Sequence, residues 1–276
     1  MNLVPMARRR LGPGARRADQ PQLGFAPAWA APARVRALIT TRCGGASCGA
    51  WGDGAGGGGL NLGDHCGDAP AAVAENRRRL AALLPQPPRW LNLVHGCAVV
   101  HAEDVVDAPA AADAATSLTC GVVCCVTMAD CLPVLLADRA GRAVGVAHAG
   151  WRGLAAGVIQ ATVQQLRTRL GDPAARLVAY LGPAIGPTYY EVGAEVRQAM
   201  LQDLWDARAA FLPAANGKWM ADLFLLGRLA LAAAGVVDVQ GGPDCTYADG
   251  ARFYSLRRDR ITGRQAALIW LDDALE

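Results

Sequence analysis

Long apolar runs are missing from this 276-residue chain: no stretch of 18 uncharged apolar residues occurs, which excludes a self-sufficient membrane-spanning helix. Residues 1–20 carry five arginines but no apolar segment behind them, so they lack the pattern of a secretory leader. Lysine is nearly absent, with Lys218 alone, and this reflects a bias toward Arg, Ala and Gly. Histidine is scarce too: four residues, at 65, 95, 101 and 148, are too few for a protein built around several imidazole-rich metal centres. Cysteine is not scarce, but nine is an odd number. Without a leader, a disulfide framework is not expected, and the thiols read as core fillers, reactive groups or metal ligands in a cytoplasmic protein.

The apolar content of 53% is enough for a large core. The formal charge of +3 is unevenly spread, because residues 1–20 contribute +4 and leave 21–276 at −1. We therefore expect a disordered Arg-rich tail over 1–20 and one folded domain over 21–276. The body offers no electrostatic case for nucleic acid as a partner. No internal repeat and no second linker interrupt it, and a monomer is expected.

Strand-like runs fall at 35–41, 121–127, 132–137, 143–148, 177–181 and 265–271. Asp68 is placed to cap a helix running through Val73, Arg77 and Leu84, with Pro70 in its first turn. Leu154, Val158, Thr162, Leu166 and Leu170 recur every four residues, which predicts one amphipathic helix ended by Gly171. Residues 221–234 predict another, closed by Gly235. Strands and helices mixed along one chain predict an α/β fold in a single domain.

Three short patterns mislead. Gly52, Gly54 and Gly57 fit a dinucleotide fingerprint, but a glycine tract follows where a helix is required. Gly45, Ser47 and Gly49 fit a nucleophile elbow, again with no helix after it. His101 and Glu103 fit half of a zinc deaminase motif whose P-C-x-x-C half is missing. Cys124 and Cys125 lie among valines and read as small buried hydrophobes.

Two segments stand apart from ordinary core. Ala129-Asp130-Cys131-Leu132-Pro133 sets an acid beside a thiol at a break between apolar strands. In the second segment Val144, Val146 and His148 alternate with small residues on one strand. His148-Ala149-Gly150-Trp151-Arg152-Gly153 then opens a helix, where free N–H groups and Arg152 can meet an anion. A thiolate with imidazoles suits zinc with an open fourth position. On residues alone, His148 reads equally as a hydrogen-bonded strand-end histidine.

These segments and others in the same order resemble the laccase-domain proteins, also called the polyphenol oxidase or purine nucleoside phosphorylase family. The matching stretches are Thr40-Thr41-Arg42-Cys43-Gly44-Gly45, Leu60-Asn61-Leu62-Gly63, Glu75-Asn76-Arg77, Val94-His95-Gly96, Ala129-Asp130-Cys131, the His148–Gly153 hexapeptide, residues 181–186, Tyr190-Glu191-Val192-Gly193 and Cys245-Thr246-Tyr247. The resemblance implies a single α/β domain with two packed β-sheets flanked by helices. It implies a metal triad of His95, Cys131 and His148, with zinc expected and copper less so, and Arg42 and Asn61 lining the substrate cleft. It further implies phosphorolysis of adenosine, inosine, guanosine and methylthioadenosine, with deamination of adenosine, so that purine nucleosides and phosphate are the partners. Leu93, Met128 and Leu256 depart from the family pattern, next to motif residues. Rival readings are a Cys-His hydrolase using Cys131 and His148, a copper-dependent polyphenol oxidase, and a metal-binding protein without turnover.

Overall fold

The computed structural model describes residues 23–203 and 205–273, and the Arg-rich tail expected over 1–20 lies outside them. The apolar runs become two large sheets. The first, four-stranded, has the order β1 (Gly24–Phe25), β2 (Val35–Thr40), β16 (Gln265–Leu271), β8 (Cys124–Met128), all antiparallel. The second, six-stranded, has the order β15 (Asp238–Gly241), β11 (Leu177–Leu181), β9 (Leu132–Asp138), β10 (Val144–Ala149), β7 (Ala114–Ser117), β5 (Val99–His101). Its central strands pair antiparallel and its edges pair parallel. A small sheet orders β12 (Glu191–Val192), β14 (Trp219–Ala221) and β13 (Phe211–Pro213). β4 (Leu91–Asn92) pairs with β6 (Ala110–Ala111), and β3 (Cys43–Ser47) bridges to Gly59.

Side-chain alternation decides what each sheet face touches. Leu135, Ala137, Val144 and Val146 of the second sheet meet Ile39, Val126, Met128 and Ile269 of the first, and this cluster is the layer between the sheets. Val134, Leu136, Ala147 and Leu181 point the other way. There they pack on α2 (Trp151–Ala155), α3 (Val158–Leu170), α4 (Ala194–Asp203) and α5 (Leu223–Ala233). The outer face of the first sheet, with Cys125, Ala266 and Leu268, packs on Leu80 of α1 (Pro70–Ala81) and on Leu60 and Leu62 of the segment before it. A short α6 (Leu256–Asp259) completes the helices. The result is α1, sheet, sheet, helices: two packed sheets flanked on both sides, as the resemblance implies. Among the described residues no helix is long and apolar enough to cross a membrane.

Two helix expectations need correction. Asp68 does not cap α1. Its carboxylate accepts from Ser47 Oγ, Asn61 Nδ2 and the adjacent Ala69 N–H, and the helix starts at Pro70 behind Ala69. The run from Leu154 to Leu170 is not one helix. Gly157, at φ 81°, breaks it into α2 and α3, a conformation that glycine adopts without a Cβ penalty. α5 fits its expectation closely: Asp222 caps it by accepting from Phe224 and Leu225 N–H groups.

Candidate metal centre

The site forms where the chain passes from the first sheet to the second. β8 ends at Met128 and β9 begins at Leu132, so Ala129, Asp130 and Cys131 make the corner. Asp130 takes φ 93°, a strained value for a residue with a Cβ. It is held by three bonds. Its carbonyl accepts from Ile185 N–H at 2.9 Å, Oδ1 from Thr246 Oγ1 at 2.7 Å and Oδ2 from Arg257 N–H at 2.7 Å.

His148 stands on β10 opposite Pro133 of β9, which brings its ring beside the corner. It shares its strand face with Val144 and Val146, the side that meets the first sheet. His95 comes from the loop after β4 and has φ 59°. Both histidines are positioned by the wholly buried Asp113. Its Oδ1 accepts from His148 Nδ1 at 3.0 Å and from His95 N–H at 2.9 Å; its Oδ2 accepts from Gly96 N–H at 2.7 Å and Val94 N–H at 3.2 Å. The carboxylate holds the proton on His148 Nδ1 and turns Nε2 toward the site. Burial raises the Asp113 pKa, but the His148 and backbone donors outweigh it and hold the carboxyl below its usual range.

The ligand atoms of His95, Cys131 and His148 lie within 4.8 Å of one another. The two imidazoles meet edge to face, with centroids 4.9 Å apart. Burial alone would raise the Cys131 thiol, yet the two histidines pull it down to about 6. Burial lowers His148, while Cys131 and Asp113 overcome it and push the ring up to about 9. A thiolate–imidazolium pair is what metal-free ligands of this kind become. One sulfur and two imidazole nitrogens match the donor set of an open zinc site. Gly150 leaves the space clear: a Cβ there would come 2.8 Å from Cys131 Sγ and 3.4 Å from His95 Cδ2. The residues therefore fit a metal ion.

Arg42 and Asn61 do not present themselves as expected. Arg42 is buried; its guanidinium donates from Nε and Nη2 to Gly52 O and from Nη1 to Gly250 O, and it lies over the Tyr254 ring. Asn61 is fully buried. Its Nδ2 donates to Gly63 O and Asp68 Oδ2, and its Oδ1 accepts from Gly63 and Arg264 N–H groups. Both are tied into the frame around the Gly-rich loop 52–59. Cys124 and Cys125 are fully buried core, as the valine run predicts. Glu103, half of the deaminase-like pattern, accepts from Ser117 Oγ and Leu118 N–H and pairs with Arg169.

Sequence reasoning missed Asp113, and it named Gly150 and Tyr190 only as parts of matching stretches, without a role. A lone carboxylate inside the small-residue stretch 110–115 is the signal that points to Asp113. Tyr190 is buried, and its phenol feels Cys131, Arg257, Asp130 and Arg152, after the larger effect of burial. Two exposed cations lie near the corner in the chain: Arg257, whose backbone N–H bonds Asp130 and whose Nη1 donates to Glu191 O, and Arg152, which lies over the Trp151 ring two residues after Gly150. Helix α2, at five residues, is too short for the anion-binding helix end that the hexapeptide suggested.

The chain matches the family model described as multi-copper polyphenol oxidoreductase laccase over residues 36–272. It is 52% identical over 248 residues to a protein of Pseudomonas aeruginosa named purine nucleoside phosphorylase, covering 90% of this chain and 98% of that one. It is 47% identical to the Escherichia coli protein YfiH, also named purine nucleoside phosphorylase, covering 89% and 97%. A crystal structure from Neisseria meningitidis superposes with a TM-score of 0.85 at 45% identity, covering 91% of this chain and all of that one. YlmD from Geobacillus stearothermophilus gives 0.75 at 33%, covering 87% and 93%. With its two-sheet fold, its corner triad and these relatives, the chain belongs to the laccase-like YfiH family.

Proposed function

We propose that this protein is a zinc-dependent purine nucleoside phosphorylase that also deaminates adenosine, and that it works in the cytoplasm as a monomer without nucleic acid or membrane partners. The observation that carries the reading is the His95–Cys131–His148 cluster, present in a chain whose curated relatives are named purine nucleoside phosphorylases. Adenosine, inosine, guanosine and methylthioadenosine are the expected nucleosides, with phosphate as second substrate. A zinc ion held by the three residues would supply a Lewis acid with an open coordination position.

The chain's own groups divide the remaining work. Asp113 keeps the His148 proton on Nδ1, so Nε2 faces the site. Gly150 keeps the space beside Cys131 open. Arg257, anchored on Asp130 through its backbone N–H, and Arg152, two residues after Gly150, are the exposed cations that would hold the phosphate; Arg42 and Asn61 support the loop framework instead. In phosphorolysis a phosphate oxygen bonds to ribose C1′ as the C1′–N9 bond breaks, and the purine leaves with the electron pair and takes up a proton. In deamination water adds at C6 of adenine and ammonia leaves.

The four histidines argue against a multicopper oxidase, since His65 and His101 stand apart on the surface beside Asp64 and Asp104. The Cys131 thiol close to His148, with Asp113 behind the ring, favours one alternative: a cysteine hydrolase. Product analysis decides. Inosine with phosphate should give hypoxanthine and ribose 1-phosphate, and omission of phosphate should stop base release. Adenosine should give inosine with or without phosphate. Base release that ignores phosphate and survives metal removal would establish the hydrolase; no purine turnover would overturn both.

A further inference from the structure

The triad and its arginines account for a metal and an anion, and a purine also needs a surface for its flat faces. Two turns beside the corner carry stacked rings. Tyr189 closes the first, donating its N–H to Gly186 O at 3.0 Å, with Pro187 in the second position, where its fixed φ suits the turn. Tyr247 lies on the second. The rings stand 4.5 Å apart at 18°. Tyr247 is partly buried and packs against the large helix-side core, so it backs its neighbour. Tyr189 is 41% exposed, with one face of its ring covered by Tyr247.

The stack is immobilised in two ways. The turns are joined to each other, with Ala184 N–H donating to Asp244 O at 3.1 Å and Thr246 N–H to Ala184 O at 2.9 Å. Cys245 Sγ accepts from Gly186 N–H at 3.1 Å and Ala248 N–H at 3.4 Å. Both turns also hang from Asp130, through Ile185 N–H on its carbonyl and Thr246 Oγ1 on its carboxylate. Asp130 immediately precedes Cys131, so the aromatic pair and the triad share one anchor. A solvent-accessible ring on an anchored turn, backed by a second ring, suits a planar heterocycle, whose stacking needs only a π-face.

We infer that the Tyr189–Tyr247 stack is the platform for the purine base, held in register with Cys131 by Asp130. The inference rests on the nucleoside reading above and adds the residues that grip the base. Tyr189→Ala and Tyr189→Trp test it, at an exposed turn position that the core does not depend on. In Tyr189→Ala the KM for inosine should rise about 5- to 150-fold, the scale of losing one base–aromatic contact. The KM for phosphate and the bound metal should not change, and Tyr189→Trp should restore nucleoside binding. An inosine KM within twofold of wild type in Tyr189→Ala, or no rescue by Trp, overturns the platform. Calorimetric binding of free hypoxanthine needs no turnover and separates the two readings. If wild type turns over no nucleoside yet binds hypoxanthine in a Tyr189-dependent way, the enzyme reading falls and the platform stands. If it neither turns over nucleosides nor binds the base, both fall.

Discussion

Asp113 divides its two oxygens among four donors: the His148 ring and the backbone N–H groups of Val94, His95 and Gly96. One buried carboxylate thus orients two of the three ligands. Asp113→Asn keeps the shape but weakens acceptance on one side, and it should lower metal affinity about 10- to 100-fold, read by competition with a chromogenic chelator. Unchanged affinity would show that the fold alone orients the rings. Glu103 offers a test in pH. Burial raises its pKa, but Arg169, two backbone N–H groups and Ser117 outweigh it and hold the carboxyl at about 2, against the usual 4.5. A depressed folded pKa means stability that is present above about 4.5 and lost as pH falls toward 2. Glu103→Gln should therefore lower stability at pH 7 by on the order of 2 kcal/mol, with the gap to wild type closing in acid, as denaturant melts at both pH values would register. At this scale the sequence was legible in part. Cys131 and His148 drew notice through their positions at strand ends, whereas His95 entered only through the family resemblance. Asp113 left one faint signal, a lone carboxylate among small residues; its role was hidden because three of its four donors are backbone N–H groups of the distant 94–96 loop.

Among the elements, the Gly-rich loop illustrates how a side chain can be misread from its neighbours. Arg42 follows a β-branched strand and precedes a glycine turn, a pattern that suggests reach into a cleft. Folding instead closes loop 52–59 over it, and three of its donors go to carbonyls. Arg42→Ala should therefore cost about 2–4 kcal/mol and lower Tm by roughly 5–10 °C. Arg42→Lys should recover only part of that, because an ammonium cannot fork between Gly52 O and Gly250 O. A Tm within a degree or two of wild type, measured by calorimetry, would show that these bonds do not support the fold. The long strands were legible because their apolar runs are buried on both faces, as in β9 and β16. The short strands such as β5, β7 and β15 were not, since a few residues held by neighbours carry no period of their own. The α2–α3 break was hidden because the apolar spacing continues across Gly157.

For the whole molecule, the four layers place the triad where three different parts of the chain converge. A metal that binds only this folded arrangement must stabilise it. Purified protein should carry about one zinc per chain, and Cys131→Ala should lose it. Chelation should lower the stability of wild type by about 3 kcal/mol when metal had been present at a hundred times its Kd, and should leave Cys131→Ala unmoved. Elemental analysis with paired melts checks both; zinc retained in the variant would remove Cys131 from the ligand set.

The corner at Ala129–Cys131 has a mechanical meaning. Cys131 moves with the step between the sheets, while His148 sits on the second sheet and His95 is tethered beside it through Asp113. Any slip of one sheet over the other therefore changes the distance from sulfur to the two imidazoles. The metal would act as a strain gauge spanning the inter-sheet layer. Repacking that layer, for example with Val126→Ala or Leu135→Ala, should speed metal release at temperatures where both sheets are still intact.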